Sequence, residues 1–311
     1  MNKKKSKVFV SASPFCQHSR EPINLLKKNG IAFDINPYNR KLKENEIFNI
    51  IKSYDGLIAD VETLNKRVLG NAKNLKIISR VGIGINNIDL EYSKKNSILV
   101  KNTPDAPTQA VVEFTIGLIF NLIRNISKQN IDMKNRIWNR EFGLNIQNLK
   151  IGILGFGRTG SLLADKLNKI GVKEIYYNDI IKKKTNKKIK YKSKNFIFKN
   201  SDILTVHLPE TKRTKNILNK NTFKLFKKDS FLINTSRGEI LDENDLDSFL
   251  KKGYFSGVAL DVFKEEPYNG KLGKFDRCLL TPHISSHTIE CRNRMELEAT
   301  QAIVDFFNRQ L

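Results

Sequence analysis

The chain has 311 residues, a length that predicts two domains. Of these residues 40% are hydrophobic and 28% are charged, a balance that excludes a disordered chain and predicts a buried core. Its formal net charge at pH 7 is +23, which can indicate nucleic-acid binding. The lysines are spread along the whole chain, however, and no nucleic-acid motif with interleaved aromatic residues accompanies them. We therefore expect salt-sensitive adsorption to polyanions and no specific nucleic-acid partner.

The cysteines and the apolar runs bear on the cellular compartment of the protein and on whether it spans a membrane. Three cysteines, an odd number without metal-type spacing, predict reduced thiols, a cytoplasmic protein and no metal site. The longest apolar run, residues 111–123, is interrupted by Glu113 and Asn121 and is typical of a buried helix, so we expect no membrane span. The apolar stretch that follows the basic N-terminus is too short for a signal peptide.

Residues 7–100 alternate short apolar runs with helical patterns. Such alternation predicts βαβ units with parallel strands. The predicted strands are 8–10, 31–35, 56–59 and 77–79, and the predicted helices are 23–28, 47–52 and 64–71. Because no glycine-rich fingerprint follows the first strand, we expect this unit not to bind a dinucleotide.

A glycine-containing loop and a helix come next. Within residues 80–89, Gly82 and Gly84 stand between apolar residues. The backbone N–H groups of this loop could face an anion, or the loop could be only a structural turn. Two prolines then exclude helix, and a long apolar helix is predicted over residues 109–126.

Residues 151–179 carry the strongest functional signal. An apolar run of strand type leads into the turn GFGRTG, then into an amphipathic helix and a second strand that ends at Asp179. In a dinucleotide-binding fingerprint, Gly155 permits the tight turn, Gly157 lets backbone approach a pyrophosphate and Gly160 lets helix pack on strand. The helix N-terminus presents its N–H groups and positive dipole end to the phosphates. The sequence therefore predicts a nucleotide site in this stretch.

Asp179 bears on the choice of cofactor. A carboxylate at this position hydrogen-bonds free ribose hydroxyls and repels a 2′-phosphate, so NAD is favoured over NADP. Several lysines follow between residues 182 and 194 and could offset part of that repulsion. We interpret them as a solvated loop in a lysine-rich protein, and NAD is the predicted cofactor.

Four later segments each predict a strand with polar residues just past its carboxyl end. Ligands bind at that edge of an open parallel sheet, so the repetition predicts an active site there. The segments are 203–209, 231–238, 257–262 and 279–283. His207, at the end of the first of them, is predicted to lie near the nicotinamide or its ribose.

Three side chains at these strand ends suit hydride transfer from a carbon that bears a hydroxyl. A histidine, His283, can remove the hydroxyl proton, and a carboxylate at Glu266 would fix its tautomer and stabilise the imidazolium. Arg237 could bind a substrate carboxylate through two parallel hydrogen bonds. From the pattern alone, Arg237 could equally be a surface cation, Glu266 a turn residue and His283 a hydrogen-bonded structural histidine.

Together these motifs resemble the D-2-hydroxyacid dehydrogenase family, and within it the members that are like D-3-phosphoglycerate dehydrogenase. The resemblance covers nearly the whole chain. The motifs are RVGIGINNID at 80–89, NTPDAPTQAVVEF at 102–114, GFGRTG at 155–160, HLPETKRTKNIL at 207–218, INTSRGEILDENDL at 233–246, GVALDVFKEEP at 257–267 and TPHISSHT at 281–288.

The resemblance implies an α/β fold of two doubly wound parallel-sheet domains, in which a Rossmann cofactor domain is inserted into a flavodoxin-like substrate domain. The implied substrate-binding domain is discontinuous, 1–102 plus 285–311. The implied NAD-binding domain is 103–284, with hinges near Asn102 and Ile284. The resemblance also implies a homodimer.

Matched residue by residue, the motifs imply the members of the site. Arg237 takes the substrate-binding role, Glu266 the role of orienting the histidine and His283 the acid/base role. Ile83 and Gly84 match the backbone loop that binds the substrate carboxylate. The implied cofactor-binding positions are Gly155, Gly157, Arg158, Thr159, Gly160, Asp179, His207, Pro209, Thr235 and Asp261.

The implied function is hydride transfer between NAD and a small D-2-hydroxy acid or its 2-oxo acid, with 3-phosphoglycerate as one candidate substrate. Family members that use it carry arginines after the third strand of the N-terminal domain. This chain has Asp60 and Glu62 there, which would repel a phosphate. The alternative substrate is an unphosphorylated 2-oxo acid, and the alternative function is a non-catalytic, NAD-responsive binding protein of the same fold.

Overall fold

The computed structural model of the chain describes residues 6–309, which divide into two compact α/β units. Unit 1 runs to Pro107 and resumes at His287, and unit 2 is Thr108–Ser286. These bounds lie a few residues from the predicted bounds of 1–102 plus 285–311 and 103–284. Unit 2 is thus inserted into the sequence of unit 1.

Unit 1 is built on a parallel sheet. Its strands are β1 (Lys7–Val10), β2 (Ala32–Ile35), β3 (Gly56–Ala59), β4 (Ile77–Arg80) and β5 (Leu99–Lys101). They lie in the order β2-β1-β3-β4-β5, and all neighbours are parallel. This flavodoxin-like order reverses its direction between β1 and β3, which makes that pair the switch point of the sheet.

Short helices connect these strands. They are α1 (Glu21–Lys28), α2 (Glu44–Ile50), α3 (Lys66–Asn71) and α4 (Leu90–Lys95). Asn65 and Asp89 cap α3 and α4 by accepting hydrogen bonds from backbone N–H groups of the first turn. Every residue of β3 is buried, as expected of a strand inside a parallel sheet.

Unit 2 is built on a second parallel sheet. Its strands are β6 (Lys150–Leu154), β7 (Glu174–Asn178), β8 (Ile189–Tyr191), β9 (Ile203–Val206), β10 (Phe231–Asn234), β11 (Gly257–Leu260) and β12 (Cys278–Leu280). Their order is β12-β11-β10-β9-β6-β7-β8, with all neighbours parallel. This is a Rossmann order that reverses between β6 and β9, so both doubly wound sheets that the sequence implied are confirmed.

The helices of unit 2 precede or connect these strands, and one more helix returns the chain to unit 1. In unit 2 they are α5 (Thr108–Arg124), α6 (Ile126–Lys134), α7 (Arg158–Lys169), α8 (Lys194–Asn200), α9 (Lys220–Phe223) and α10 (Glu243–Lys251). The last helix of unit 1 is α11 (Ile289–Asn308), which packs on α1, β3 and β4. Short 3₁₀ turns occur at Ile51–Ser53, Ile146–Asn148, Gly238–Ile240 and Lys271–Lys274.

The predicted helix over residues 109–126 is wrong at its end. α5 stops at Arg124, because Asn125 adopts the left-handed conformation with φ of 53°, and α6 then starts in a new direction. Within residues 6–309, no single helix is long and apolar enough to cross a membrane. α5 and α6 reach that length and composition only as a pair, and they are bent by 62°.

The lysine-rich segment after Asp179 was predicted to be a loop. This prediction is wrong in part, because the segment contains a strand. Ile189 is 2% exposed and anchors β8, which adds a seventh parallel strand beside β7. Lys190 and Tyr191, which complete β8, are exposed. β8 is the outermost strand of the sheet, and lysines on such a strand oppose its pairing with a strand of another chain. A basic segment is therefore compatible with a strand at this position.

Candidate functional site

Three glycines shape the turn between β6 and α7, each for a different reason. Gly155 has φ of +92°, and a Cβ there would lie 2.4 Å from the carbonyl oxygen of His207. A Cβ at Gly160 would lie 2.0 Å from the carbonyl oxygen of Gly155, so this glycine lets α7 pack on the turn. At Gly157 a Cβ would meet no described atom within 4 Å. The open side of the turn is therefore at Gly157, where a pyrophosphate requires it.

The N-terminus of α7 faces the same turn. Gly157 is the N-cap of this helix and has no side chain that could cap it, and its carbonyl accepts from the N–H of Ser161 at 3.1 Å. Arg158 and Thr159 form the first turn of α7. Because the helix has 12 residues, its dipole and N-terminal N–H groups favour an anion at this point.

Asp179 follows β7 and reaches the glycine-rich turn. Its Oδ2 accepts a hydrogen bond from the N–H of Phe156 at 2.5 Å, and its Oδ1 accepts from the N–H of Ile181 at 3.2 Å. Each carboxylate oxygen keeps a second lone pair for a ribose hydroxyl. The open glycine turn, the helix N-terminus and this carboxylate together fit a dinucleotide that has a free 2′-hydroxyl.

His207 and Pro209 follow β9 beside the glycine-rich turn. The N–H of His207 donates to the carbonyl of Leu154 at 2.7 Å, and its ring Nε2 lies 2.9 Å from the hydroxyl of Thr205. The residue as a whole is half-buried, but desolvation of the ring lowers the pKa of His207 to about 4. The imidazole is therefore neutral at pH 7. Pro209 is exposed, and its carbonyl accepts from the hydroxyl of Thr214 at 2.7 Å.

Glu266 and His283, predicted from separate strand ends, are brought together. Nδ1 of His283 lies 2.8 Å from Oε2 of Glu266, whose Oε1 accepts from the N–H of Phe263 at 3.0 Å. With the proton of the imidazole on Nδ1 and shared with the carboxylate, Nε2 is the position for proton transfer. His283 has φ of 54°, an uncommon value for a residue other than glycine, and it marks a locally constrained backbone.

A buried carboxylate holds the segment that carries His283. Asp261 is fully buried. Its Oδ1 accepts from the hydroxyl of Thr281 at 2.6 Å and the N–H of Ile284 at 2.8 Å, and its Oδ2 accepts from the N–H of Ser285 at 2.9 Å. All three donors lie within two residues of His283. The resemblance implied a cofactor contact for Asp261, and we propose that its main role is to position the histidine.

Arg237 follows β10 and is linked to the histidine pair through packing. It is half-buried, and its Nη1 donates to the carbonyl of Ser236 at 2.6 Å. A Cβ at Gly238 would lie 1.9 Å from the carbonyl carbon of Phe263, so the two segments are in close contact. Since the N–H of Phe263 also donates to Glu266, the segment that carries Arg237 packs on the one that orients His283.

A cavity of about 570 Å³ adjoins the histidine pair. The rings of Phe263 and Tyr268 stack in its wall with their centroids 4.1 Å apart. These stacked rings give that wall of the cavity an apolar surface. The cavity is lined by Glu266 and His283 together with Phe263, Pro267, Tyr268, Leu280, Thr281 and Pro282.

In unit 1, the loop after β4 contains Ile83 and Gly84. The N–H of Gly82 donates to the hydroxyl of Thr103 at 2.8 Å, and the side-chain amide of Asn102 donates to the carbonyl of Ile83 at 2.7 Å. These bonds fix the loop at its start. Within the described part of the chain, the N–H groups of Ile83 and Gly84 donate to no other protein group, so they are available to an anion.

The two acidic residues that follow β3 are not equivalent. Glu62 was expected to repel a substrate phosphate, and this expectation is wrong because the residue is 1% exposed. The hydroxyl of Ser11 donates to its carboxyl, and burial raises the pKa of Glu62. Asp60 is partly exposed, and its Oδ2 lies 3.4 Å from Nη1 of Arg292 in α11. Of these two residues, Asp60 is therefore the one that presents a carboxylate at this edge of the sheet.

Threonine hydroxyl groups that support the site gave no signal in the sequence. Thr115, inside α5, lies 3.3 Å from the hydroxyl of Thr235, the implied cofactor residue after β10. Thr205, inside β9, contacts the ring of His207, and Thr281 contacts Asp261. A threonine within an apolar helix or strand fits the pattern of a core residue, so periodicity cannot reveal the polar partner.

Residues 116–285 match the family model described as the D-isomer specific 2-hydroxyacid dehydrogenase, NAD binding domain. The chain is 36% identical to the glyoxylate reductase of Thermococcus litoralis over 81% of this chain and 81% of that protein. It is 34% identical to the D-3-phosphoglycerate dehydrogenase of Bacillus subtilis over 82% of this chain and 50% of that protein. The crystal structure of D-lactate dehydrogenase from Aquifex aeolicus, complexed with NAD and lactic acid, is similar with a TM-score of 0.83. That match has 26% identity and covers 97% of this chain and 96% of the other.

Proposed function

The chain belongs to the D-isomer specific 2-hydroxyacid dehydrogenase family, and from this premise we propose that it reduces a small, unphosphorylated 2-oxo acid with NADH. The family consists of NAD-dependent oxidoreductases of small 2-hydroxy and 2-oxo acids, and NAD is the cofactor of this chain. The observation that carries the proposed reaction is the 2.8 Å contact between His283 and Glu266. This pair, set in a cofactor-binding unit, is suited to move a proton while a hydride is transferred.

In the proposed reaction Arg237 binds the substrate carboxylate through its guanidinium and holds the carbonyl next to the cofactor. NADH, when bound, supplies the hydride to the carbonyl carbon. The imidazolium of His283 gives its Nε2 proton to the carbonyl oxygen, which becomes the hydroxyl of the D-2-hydroxy acid. Glu266 stabilises that imidazolium before the transfer. In the reverse direction Nε2 accepts the hydroxyl proton.

The residues that would hold the cofactor follow from the open turn. The N-terminus of α7 and the backbone at Gly157 would hold the pyrophosphate, and Asp179 the ribose hydroxyls. His207 and Pro209 adjoin this turn from β9. We propose the same roles for Arg158, Thr159 and Thr235 as the sequence resemblance implied.

The preference for an unphosphorylated substrate has two supports. The relative from Thermococcus litoralis is a glyoxylate reductase, whose substrate carries no phosphate. Asp60, at the carboxyl end of β3, places a negative charge where phosphoglycerate dehydrogenases carry positive charge. The second candidate is 3-phosphohydroxypyruvate, and the similarity to the Bacillus subtilis enzyme favours it, although this chain spans half the length of that relative.

Steady-state NADH oxidation tests the proposed function. We expect turnover of glyoxylate and hydroxypyruvate, with kcat/KM for hydroxypyruvate at least about tenfold above that for 3-phosphohydroxypyruvate, because one unscreened charge contact changes binding by about that factor. A preference for 3-phosphohydroxypyruvate would replace the proposed substrate class by the second candidate. Binding of NADH without turnover of any 2-oxo acid would support the non-catalytic alternative.

We also propose that the protein is a homodimer, as the resemblance implied, and that α6 and the segment after it form the interface. This surface carries ordered, exposed apolar side chains. Trp138 is 77% exposed and Phe142 is fully exposed, although the N–H of Leu144 is hydrogen-bonded to the carbonyl of Ile123 at 2.8 Å and Lys128 pairs with Glu141. Apolar surface of this extent on a fixed backbone is typical of a subunit interface. Its other members are Ile126, Ile131, Met133 and Ile137.

We expect Trp138→Asp and Phe142→Asp to shift the protein from dimer to monomer, because each buries an unpaired charge at the interface. Light scattering coupled to size-exclusion chromatography measures the mass. Tyr38→Asp is the matched control, since Tyr38 is 49% exposed and lies in unit 1. A wild-type monomer, or a dimer that survives both substitutions, would contradict this interface.

A further inference from the structure

An ion-paired network occupies the switch point of the unit 1 sheet. The loops after β1 and β3 meet there, at the carboxyl edge where open parallel sheets bind ligands. Arg292 of α11 reaches this edge, and its Nη2 donates to the carbonyl of Pro14 in the loop after β1 at 2.7 Å. Its Nη1 lies 3.4 Å from Asp60 in the loop after β3. One guanidinium therefore joins both loops of the switch point.

Arg292 contacts more than one carboxylate in this network. Nε of Arg292 also donates to Glu296 at 2.6 Å, and Glu296 is 1% exposed. Two carboxylates thus contact a single guanidinium. Arg80, at the end of β4, is a further cation at this edge, and its Nη1 donates to the carbonyl of Val81 at 2.8 Å. Arg292 faces two anions, so its charge is neutralised toward any incoming group.

The network adjoins the loop that contains Ile83 and Gly84, which the sequence resemblance matched to the backbone loop that binds the substrate carboxylate. The side-chain amide of Asn87 donates to the carbonyls of Asp60 and Glu62, at 3.2 and 2.6 Å. These two bonds tie the loop that contains Ile83 and Gly84 to the loop that contains Asp60. Since β3 and β4 are adjacent strands, about 5 Å apart, a substrate held by the first loop has its remaining atoms near the second.

We propose that Asp60 determines substrate specificity by masking Arg292, so that the site selects against 2-oxo acids whose far end is anionic. Arg292 is a latent anion-binding residue. Removing the charge of Asp60 frees its Nη1 for a substrate phosphate, and removing Arg292 leaves Asp60 as an unpaired negative charge. This inference rests on the proposed function, because it concerns the substrate of the same site.

The test compares two substrates that differ only in a phosphate, hydroxypyruvate and 3-phosphohydroxypyruvate. The readout is the ratio of kcat/KM for the phosphorylated compound to that for the other. We expect Asp60→Asn to raise this ratio about tenfold and Arg292→Gln to lower it by a similar factor, as a unit change in charge near a divalent phosphate requires. The double variant should return close to the wild-type ratio, because its net charge is that of the wild type.

Asp55→Asn is the matched control. Asp55 precedes β3 at the opposite edge of the same sheet, where its carboxylate accepts from the N–H of Lys7 at 2.9 Å. Asp55→Asn removes the same charge as Asp60→Asn but far from the switch point, so the ratio of the two kcat/KM values should stay at the wild-type value. Asp60→Glu, which keeps the charge, should also do so. Thermal melting identifies any variant that fails to fold. If Asp60→Asn fails to fold, the expected fall in the ratio for Arg292→Gln tests the inference alone.

The outcomes separate this inference from the proposed function. Opposite shifts in the two single variants support the masking of Arg292. If Asp60 and Arg292 have a purely structural role, each substitution lowers kcat/KM for both substrates together and leaves their ratio unchanged. That result would overturn the inference. An equal shift in Asp55→Asn overturns it too, because the effect would then come from overall charge. If the wild type turns over no 2-oxo acid, the proposed function fails instead.

Discussion

We expect His283→Ala to lower kcat by about 10²- to 10⁴-fold while the Kd for NADH stays within about threefold of the wild-type value. The variant lacks the group that gives or takes the proton at the substrate oxygen. The glycine-rich turn and Asp179 are not contacts of this side chain, so the cofactor site keeps its geometry. Stopped-flow single-turnover reduction and NADH fluorescence titration measure the two quantities separately.

The neighbours of His283 sharpen this prediction. Its Nδ1 contact with Glu266 implies a smaller loss for Glu266→Gln, of about 10- to 100-fold, because the amide keeps a hydrogen bond but not the charge that stabilises an imidazolium. His287→Ala is the matched control, since His287 is an exposed histidine four positions along the chain. Unchanged turnover in His283→Ala would remove this residue from the mechanism, and an equal loss in His287→Ala would point to general damage.

The fold and the cofactor turn could be predicted because their signals are local in sequence. The spacing of Gly155, Gly157 and Gly160 predicted three separate functions, and the structure gives each glycine the surroundings that its function needs. The strand runs could be predicted because a strand buried on both faces is continuously apolar. Arg237, Glu266 and His283 could be predicted as candidate site residues because each follows such a run toward the carboxyl edge of the sheet.

The supporting network could not be predicted, because its members are far apart in the chain and their side-chain directions are set by packing. Asp60 and Arg292 are separated by 232 residues, and no periodicity links them. Glu62 is two residues from Asp60, yet it is buried against Ser11 while Asp60 is partly exposed. For Asp261, the motif indicated a functional position but not that the carboxylate bonds the segment around His283.

We expect Gly157→Val to fold normally and to weaken NADH binding by at least about 10²-fold, equivalent to roughly 3 kcal/mol of binding free energy. A Cβ at Gly157 meets no described atom of the protein within 4 Å, and its φ of −72° lies outside the left-handed region that favours glycine, so the folded state has room for a side chain here. The space that the valine fills is the one proposed for the pyrophosphate. The loss of affinity therefore comes from exclusion of the cofactor alone.

Gly160→Val is the contrasting variant, in the same turn and with the same side chain. Its Cβ would lie 2.0 Å from the carbonyl oxygen of Gly155 and 3.2 Å from Cγ2 of Ile153, and backbone cannot yield as a flexible side chain can. We expect overpacking of about 3 kcal/mol or more, seen as a fall in Tm of roughly 10 °C or as failure to fold. Circular dichroism melts and NADH titrations of the two variants test whether the pyrophosphate binds at Gly157. Weak binding with an unchanged Tm in Gly157→Val places the pyrophosphate at that glycine, because Gly160→Val shows how a merely structural glycine responds. Near-normal NADH affinity in Gly157→Val would contradict it.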